Sequence, residues 1–371
     1  MNIFIQIARY LVGGLFIFSG LIKLNDPVGT KIKLEEYFSV FATDFAPFFE
    51  WFIPLALGLA VFLSVLEVVL GVAVLIQYRM VITTWVLLGM IVFFTFLTFY
   101  SAYFNKVTDC GCFGDAIVLT PWESFTKDII LLVLISILFA YRHRFTETLS
   151  LRTSHLVVGS VTIVCLVLGV TAVRHLPFAD FRAYKVGADL PRLMQPTEPL
   201  RYKYIMTKNG QDEEFTQYPT DKSYTFKEMI PLNAEKAQAK ITDYNVWNDE
   251  GDFTATTFEG NKLLVVMYDV TKADKEVLPE IQQLAEQLPA GVEALVLTAS
   301  GEAIYDEFRH EQQLALPYYY ADATVLKTII RSNPGLVLLQ NGVVRGKWHF
   351  RDTPSAEEIN GLLGQGVATA E

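Results

Sequence analysis

The chain has 371 residues, room for two or three domains. Hydrophobic residues reach 52% and charged residues only 19%, which excludes a single water-soluble globule. The net charge of −10 belongs to the back of the chain, where 28 Asp/Glu face 17 Lys/Arg from Val186 onward; with no basic stripe anywhere, nucleic acid is excluded as a partner.

Five apolar segments are each near the roughly 20 residues a helix needs to cross a bilayer. They are Ile3–Leu21, Phe52–Gln77, Val81–Ala102, Pro121–Tyr141 and His155–Val173. The first has almost no basic flank and no small-residue cleavage site, so it is expected to stay as an anchor rather than leave as a signal peptide. The fourth reaches full length because Thr120-Pro-Trp-Glu123 reads as a capping box with proline at the first helical position. Trp51, Tyr78, Tyr100, Tyr103, Trp122 and Tyr141 fall at predicted ends, as an aromatic belt would. An odd number of spans puts the termini on opposite sides. With a cytoplasmic N-terminus, the short inner loops carry Arg79, Arg142, Arg144 and Arg152, and the acidic C-terminal part lies outside.

Ionisable residues inside spans mark partners or cavities. Glu67 falls in the middle of the second span, and Arg9 in the first is its expected partner. Counting about 1.5 Å per residue puts Arg9 at a depth of about 9 Å and Glu67 at about 15 Å, a gap a long arginine bridges. Such a pair either locks two helices together or serves a proton relay or quinone site. Lys23, at the end of the first span, reads as a snorkelling interfacial lysine, with an anionic headgroup or quinone oxygen as its other use. The aromatic stretch from Thr30 to Trp51 lies along the membrane or covers the bundle.

Between the third and fourth segments stands Asp109-Cys-Gly-Cys-Phe-Gly114. Cys110 and Cys112 are two of only three cysteines, and three readings compete for them. They form a redox-active pair, with glycine keeping the sulfurs accessible, or a local staple in an oxidising compartment. The third reading is a metal site, for which only Asp109, Asp115 and His175 stand near enough to complete the ligands. Cys165, inside the fifth segment, reads as an inert apolar residue.

After a linker the chain reads as α/β. The pattern predicts a strand at Lys262–Tyr268, a helix at Ala273–Leu288, a strand at Val292–Thr298 and helices at Gly301–Gln313 and Asp322–Arg331. A hairpin of Gly335–Gln340 and Val343–Phe350 turns at Asn341-Gly342, and a last helix opens at Thr353-Pro354-Ser355. Residues 186–240 hold the pattern of a hairpin, Tyr202–Thr207 against Glu214–Tyr218, without a clear place in the whole. His310 and His349 stand isolated and carry no catalytic expectation.

The order β-α-β-α-β-β-α resembles a thioredoxin-like domain, with Ile241–Gly251 similar to the hairpin that envelope members add in front. That resemblance implies a cis Asn333–Pro334 bond and a polypeptide docking beside it. It departs where such enzymes carry Cys-x-x-Cys: here Asp269-Val-Thr-Lys-Ala-Asp274 stands there, and no cysteine follows Cys165, so this domain cannot itself exchange thiols. The front of the chain, about Met1–Tyr141, resembles the DoxX-like superfamily and within it the MauE family. Gly14–Lys23, Glu67 followed by Gly71, and the Cys-Gly-Cys-Phe-Gly run carry that resemblance.

The expected organisation is a transmembrane bundle over 1–150, a fifth span and linker over 151–185, the extension 186–240 and the thioredoxin-like domain 241–371. The MauE resemblance implies thiol–disulfide redox or maturation of an exported protein at a bacterial inner membrane. Cys110 and Cys112 would be the redox pair, Glu67, Arg9 and Lys23 candidate cofactor contacts, Asn333 and Pro334 the partner contact, and a quinone the candidate acceptor. Partners would be an exported client or an envelope oxidoreductase. The alternative is a non-enzymatic membrane scaffold with a structural Cys110–Cys112 disulfide. A transporter finds no inverted repeat to support it.

Overall fold

The structure, a computed structural model, describes residues 3–107 and 113–364, except the side chains of 235 and 236. Cys110 and Cys112 lie outside the described residues. The chain divides into two compact units, Met1–Phe181 and Arg182–Glu371, each taken by itself below.

The first unit is helical: α1 Ile3–Asn25, α2 Pro27–Asp44, α3 Ala56–Leu75, α4 Met80–Phe104, α5 Pro121–Ala140 and α6 Leu151–Arg174. A 3₁₀ stretch, Pro47–Leu55, leads into α3. Four stretches among the described residues are long and apolar enough to cross a membrane: Ile3–Asn25, Pro47–Leu75, Met80–Phe104 and Leu151–Arg174. The predicted fourth span forms as α5, and its capping box is present, with Thr120 N donating to Glu123 Oε2 at 2.8 Å. Glu123, Lys127 and Asp128 make it too charged to count with the other four on composition alone.

Helices α1 and α3 run antiparallel with their backbones in near contact. A Cβ added at Gly20 would sit 2.8 Å from Ser64 O, and one at Gly71 would sit 2.7 Å from Gly13 O. Small residues permit this approach, which brings side chains on the two helices within reach of each other. Cys165 of α6 is buried with Leu24, Val65 and Val68, as the apolar reading expects.

The aromatic stretch after α1 is a helix that periodicity did not mark. Asp26 caps α2, its side chain accepting from Gly29 N at 2.8 Å, and Pro27 takes the first helical position. Tyr37 and Phe41 pack on Leu97 and Tyr100 of α4 and on Val107, so α2 covers the bundle. Its end is pinned by Asp44, which accepts from Tyr100 and, at 2.6 Å, from Lys106.

The second unit opens with a short α7 Leu190–Leu193 and a three-stranded sheet. There β1 Tyr202–Lys208 lies between β2 Gln211–Phe215 and β3 Thr225–Pro231. The hairpin was legible; the third strand, all but one residue exposed, has no apolar alternation to reveal it. After α8 Ala234–Ala237 and the small hairpin β4 Trp247–Asn248 and β5 Gly251–Asp252 come β6 Asn261–Met267, α9 Leu278–Glu286 and β7 Val292–Thr298. They are followed by α10 Glu302–Glu311, β8 Tyr318–Tyr320, α11 Ala323–Ile329, β9 Gly335–Gln340, β10 Val343–His349 and α12 Ala356–Gly364.

The large sheet has the order β10-β9-β6-β7-β8-β4-β5, with β6 parallel to β7 and antiparallel to β9. Strand β6 is interior to the sheet and buried on both faces, which is why Leu263 to Met267 is an unbroken apolar run. Leu263, Val265 and Met267 share one core with Ile281 of α9, Tyr305 of α10 and Ile359 of α12. Helix α9 starts at Leu278, later than periodicity predicts, with Pro279 in its first turn.

Candidate functional site

Glu67 does have a cationic partner in the bundle, but it is Lys23 and not Arg9. Lys23 Nζ donates to Glu67 Oε1, with the two residues only 8% and 2% exposed. Arg9 donates instead to Leu75 O at 2.9 Å, at the far end of the α1–α3 contact. Helical side chains tilt toward their own N-terminus. In an antiparallel pair, Lys23 therefore tilts inward from the end of α1 while Glu67 tilts toward it, and Arg9 tilts away. Counting depth ignored that tilt; it also made Lys23 a snorkelling residue when its ammonium points into the bundle. Lys23 Nζ also lies 4.7 Å from the centre of the Phe94 ring.

A second buried carboxylate stands across from this pair. Asp128 of α5 is 1% exposed; Thr98 Oγ1 donates to it at 3.0 Å and Lys127 Nζ at 2.6 Å. Sequence reasoning passed over it, although an acid eight residues into an apolar segment is the same signal that singled out Glu67. The bundle thus holds two acids and two lysines. All four line one narrow cleft of about 30 Å³, walled by Phe16, Phe94 and Phe113 among others.

Glu67 Oε2 is buried and has no hydrogen-bond partner among the described residues. A buried carboxylate oxygen left bare costs about 1–3 kcal/mol or more, so the cleft has an unmet need for a donor. Lys23 is a donor and Glu67 an acceptor at this narrow, aromatic-walled space. Phe113, the residue after Cys112, is buried at the rim. Its ring lies 5.6 Å from that of Phe18 and 5.2 Å from Lys127 Nζ. Among the described residues no group of three or more His, Cys, Asp and Glu gathers as metal ligands would.

In the second unit, the Asn333–Pro334 bond is cis. Asn333 Nδ2 donates to Asp269 O at 2.7 Å, and Asp274 N donates to Asn333 O at 3.0 Å. The segment Asp269–Asp274 after β6 is thereby tied to the proline turn by two bonds. Burial pushes the Asp269 carboxyl up, but hydrogen bonds from Thr271 and Lys272 outweigh it and leave it below the usual carboxylate range. Asn333 Oδ1 is buried without a partner among the described residues. His349 is a packed residue: its Nδ1 accepts from Arg351 N at 3.2 Å and its ring lies 4.2 Å from that of Phe350.

No curated protein and no solved structure matches the chain. A family model does match its front part, over residues 1–141: Methylamine utilisation protein MauE. That span takes in α1 to α5, and so every residue of the cleft. Residues 1–141 are thus similar to the MauE family, and they hold three of the four stretches that are long and apolar enough to cross a membrane.

Proposed function

We propose that this MauE-family domain is a thiol–disulfide oxidoreductase of a bacterial inner membrane that serves the maturation of an exported protein. Cys110 and Cys112 are its redox pair. As a disulfide they take two electrons and two protons from a client dithiol, which leaves oxidised. The resulting pair of thiols is reoxidised by a quinone, which leaves as the quinol with the same two electrons and two protons. The single observation that carries this reading is the cleft with its bare Glu67 oxygen beside Lys23. Phe113, which lines the cleft, directly follows Cys112 in the sequence.

In this reading α5 is a fifth crossing. Its 20 residues reach about 30 Å as a helix. Lys127 and Asp128 face the cleft rather than lipid, so the charges that disqualify α5 on composition do not oppose insertion. Five crossings with the N-terminus cytoplasmic place the second unit outside, where exported clients are. The second unit is a redox-inactive thioredoxin-like domain, and the turn at Asn333 and Pro334 holds the client's chain. The wider DoxX-like kinship is part of the same reading.

The test is to trap the thiols of Cys110 and Cys112 in intact cells with a membrane-permeant alkylator, with and without quinone. A pair that turns reduced when quinone is depleted supports the oxidoreductase. A pair oxidised in every condition is a staple, and the protein is then a scaffold.

A further inference from the structure

We infer that the other end of the bundle holds a separate binding site for the phosphate headgroup of an anionic membrane lipid. The turn between α3 and α4 and the segment after α5 enclose an open recess of about 680 Å³. Arg79, Arg142 and His143 line it, against one acid, Glu147. Neither arginine pairs with a carboxylate among the described residues. The Arg79 guanidinium lies 5.9 Å from the centre of the Tyr78 ring. Arg142 is held in place, stacked 4.0 Å over the Phe139 ring and donating Nη1 to Phe139 O at 2.7 Å. Its Nε is buried and has no hydrogen-bond partner among the described residues.

Two arginines that form no ion pair among the described residues, one with an unused buried donor, form a receptor for a phosphodiester or phosphomonoester oxygen. The floor is rigid. With its amide turned to satisfy both neighbours, Gln77 donates to Thr146 O at 2.7 Å and accepts from Arg9 at 2.6 Å, joining the α3–α4 turn to the α5–α6 loop.

The position selects a lipid over free phosphate. The recess sits where α3 ends and α4 begins, which is headgroup depth for two candidate spans. Its wall continues onto exposed apolar residues of α4: Val81 and Ile82 in the recess, then Trp85 and Val86 one turn on. Acyl chains attached to a headgroup in the recess would lie along that stripe. Snorkelling arginines alone would show no preference among headgroups.

The full-length protein in detergent is titrated with phosphatidylglycerol or with phosphatidylcholine, and bound lipid is read by native mass spectrometry. Phosphatidylglycerol should be retained preferentially. Arg79→Gln/Arg142→Gln should weaken it roughly ten- to hundred-fold, the scale of one or two charged hydrogen bonds. Arg144→Gln, at the same end but outside the recess, should leave retention unchanged and so control for net charge. Equal retention of the two lipids, or undiminished retention in a double variant that elutes as a folded protein, would overturn the site. Inorganic phosphate should not displace the lipid; displacement at millimolar phosphate would reassign the recess to a soluble anion and overturn the lipid assignment.

Discussion

The helical unit and the sheet unit treat polar groups in opposite ways. In Met1–Phe181, four charged side chains converge in an apolar bundle around a cleft, and one carboxylate oxygen is left bare. In Arg182–Glu371 the centre is apolar, β6 and its neighbours bury aliphatic side chains, and the segment after β6 is closed by hydrogen bonds to Asn333. Charges in an apolar bundle are costly and persist where they do something. The closed, cysteine-free segment of the other unit has nothing to react. On the proposed reading, the chemistry belongs to the bundle and recognition to the sheet unit.

The strongest way to break this comparison is to separate the ion pair's structural role from its chemical one. Lys23→Met leaves Glu67 buried and unpaired, and should destabilise the bundle by about 3–5 kcal/mol. Lys23→Met/Glu67→Leu should recover most of that stability, because an apolar replacement of a buried pair is often neutral. Neither variant should reoxidise its thiols. Denaturant unfolding in detergent reads the first quantity and thiol trapping the second. Recovery of both in the double variant would reduce the pair to a helix lock.

A somewhat smaller effect is expected where the two backbones touch. Gly20→Ala places a Cβ 2.8 Å from Ser64 O and 2.6 Å from Val68 Cγ2, and should cost about 1–3 kcal/mol. Gly14→Ala, where nothing lies within 4 Å, should cost nothing measurable in the same unfolding experiment. Equal effects would mean that α1 and α3 are not in backbone contact.

The sheet unit sharpens the comparison from the other side. Asn333→Ala removes the bond to Asp269 O and should destabilise that unit by about 1–2 kcal/mol. Cycling of Cys110 and Cys112 should be unchanged, while cross-linking to a client falls. Loss of cycling in a folded variant would give the sheet unit a part in the chemistry.

How far these features could be read from the residues differed between the units for physical reasons. An interior strand such as β6 is an apolar run from Leu263 to Met267 and announces itself, and the Asn341-Gly342 turn announces its hairpin. Exposed β3 and the three-residue β8 have no such pattern. In the bundle, hydropathy found the helices but not α2, whose signal is a cap and a proline rather than a stripe. Glu67 was visible as an acid in a span; its partner was not, because Lys23 and Arg9 are equally basic and only side-chain tilt separates them. Asp128 was visible in principle, as an acid inside the predicted span Pro121–Tyr141.

The smallest expected effect concerns pH. Hydrogen bonds from Lys106 and Tyr100 hold the Asp44 carboxyl below the usual carboxylate range. A carboxyl depressed in the folded state stabilises it fully above the ordinary value, near 3.8, and that contribution fades as pH falls toward the lower folded value. Asp44→Asn should therefore flatten the acid side of the stability curve while leaving its slope above pH 5 unchanged, as thermal unfolding across pH would record. An unchanged acid side would mean that α2 is not held through Asp44.

The most direct test joins the cleft to the cysteines. Glu67→Gln keeps the size of the side chain and removes its charge, and the variant's folding is checked first by unfolding in detergent. Thiol trapping then compares Cys110 and Cys112 in this variant with the parent protein, in cells with quinone present. The pair should be mostly oxidised in the parent and accumulate as free thiols in a folded Glu67→Gln variant. Identical, fully oxidised pairs in both would contradict a cleft that serves the cysteines.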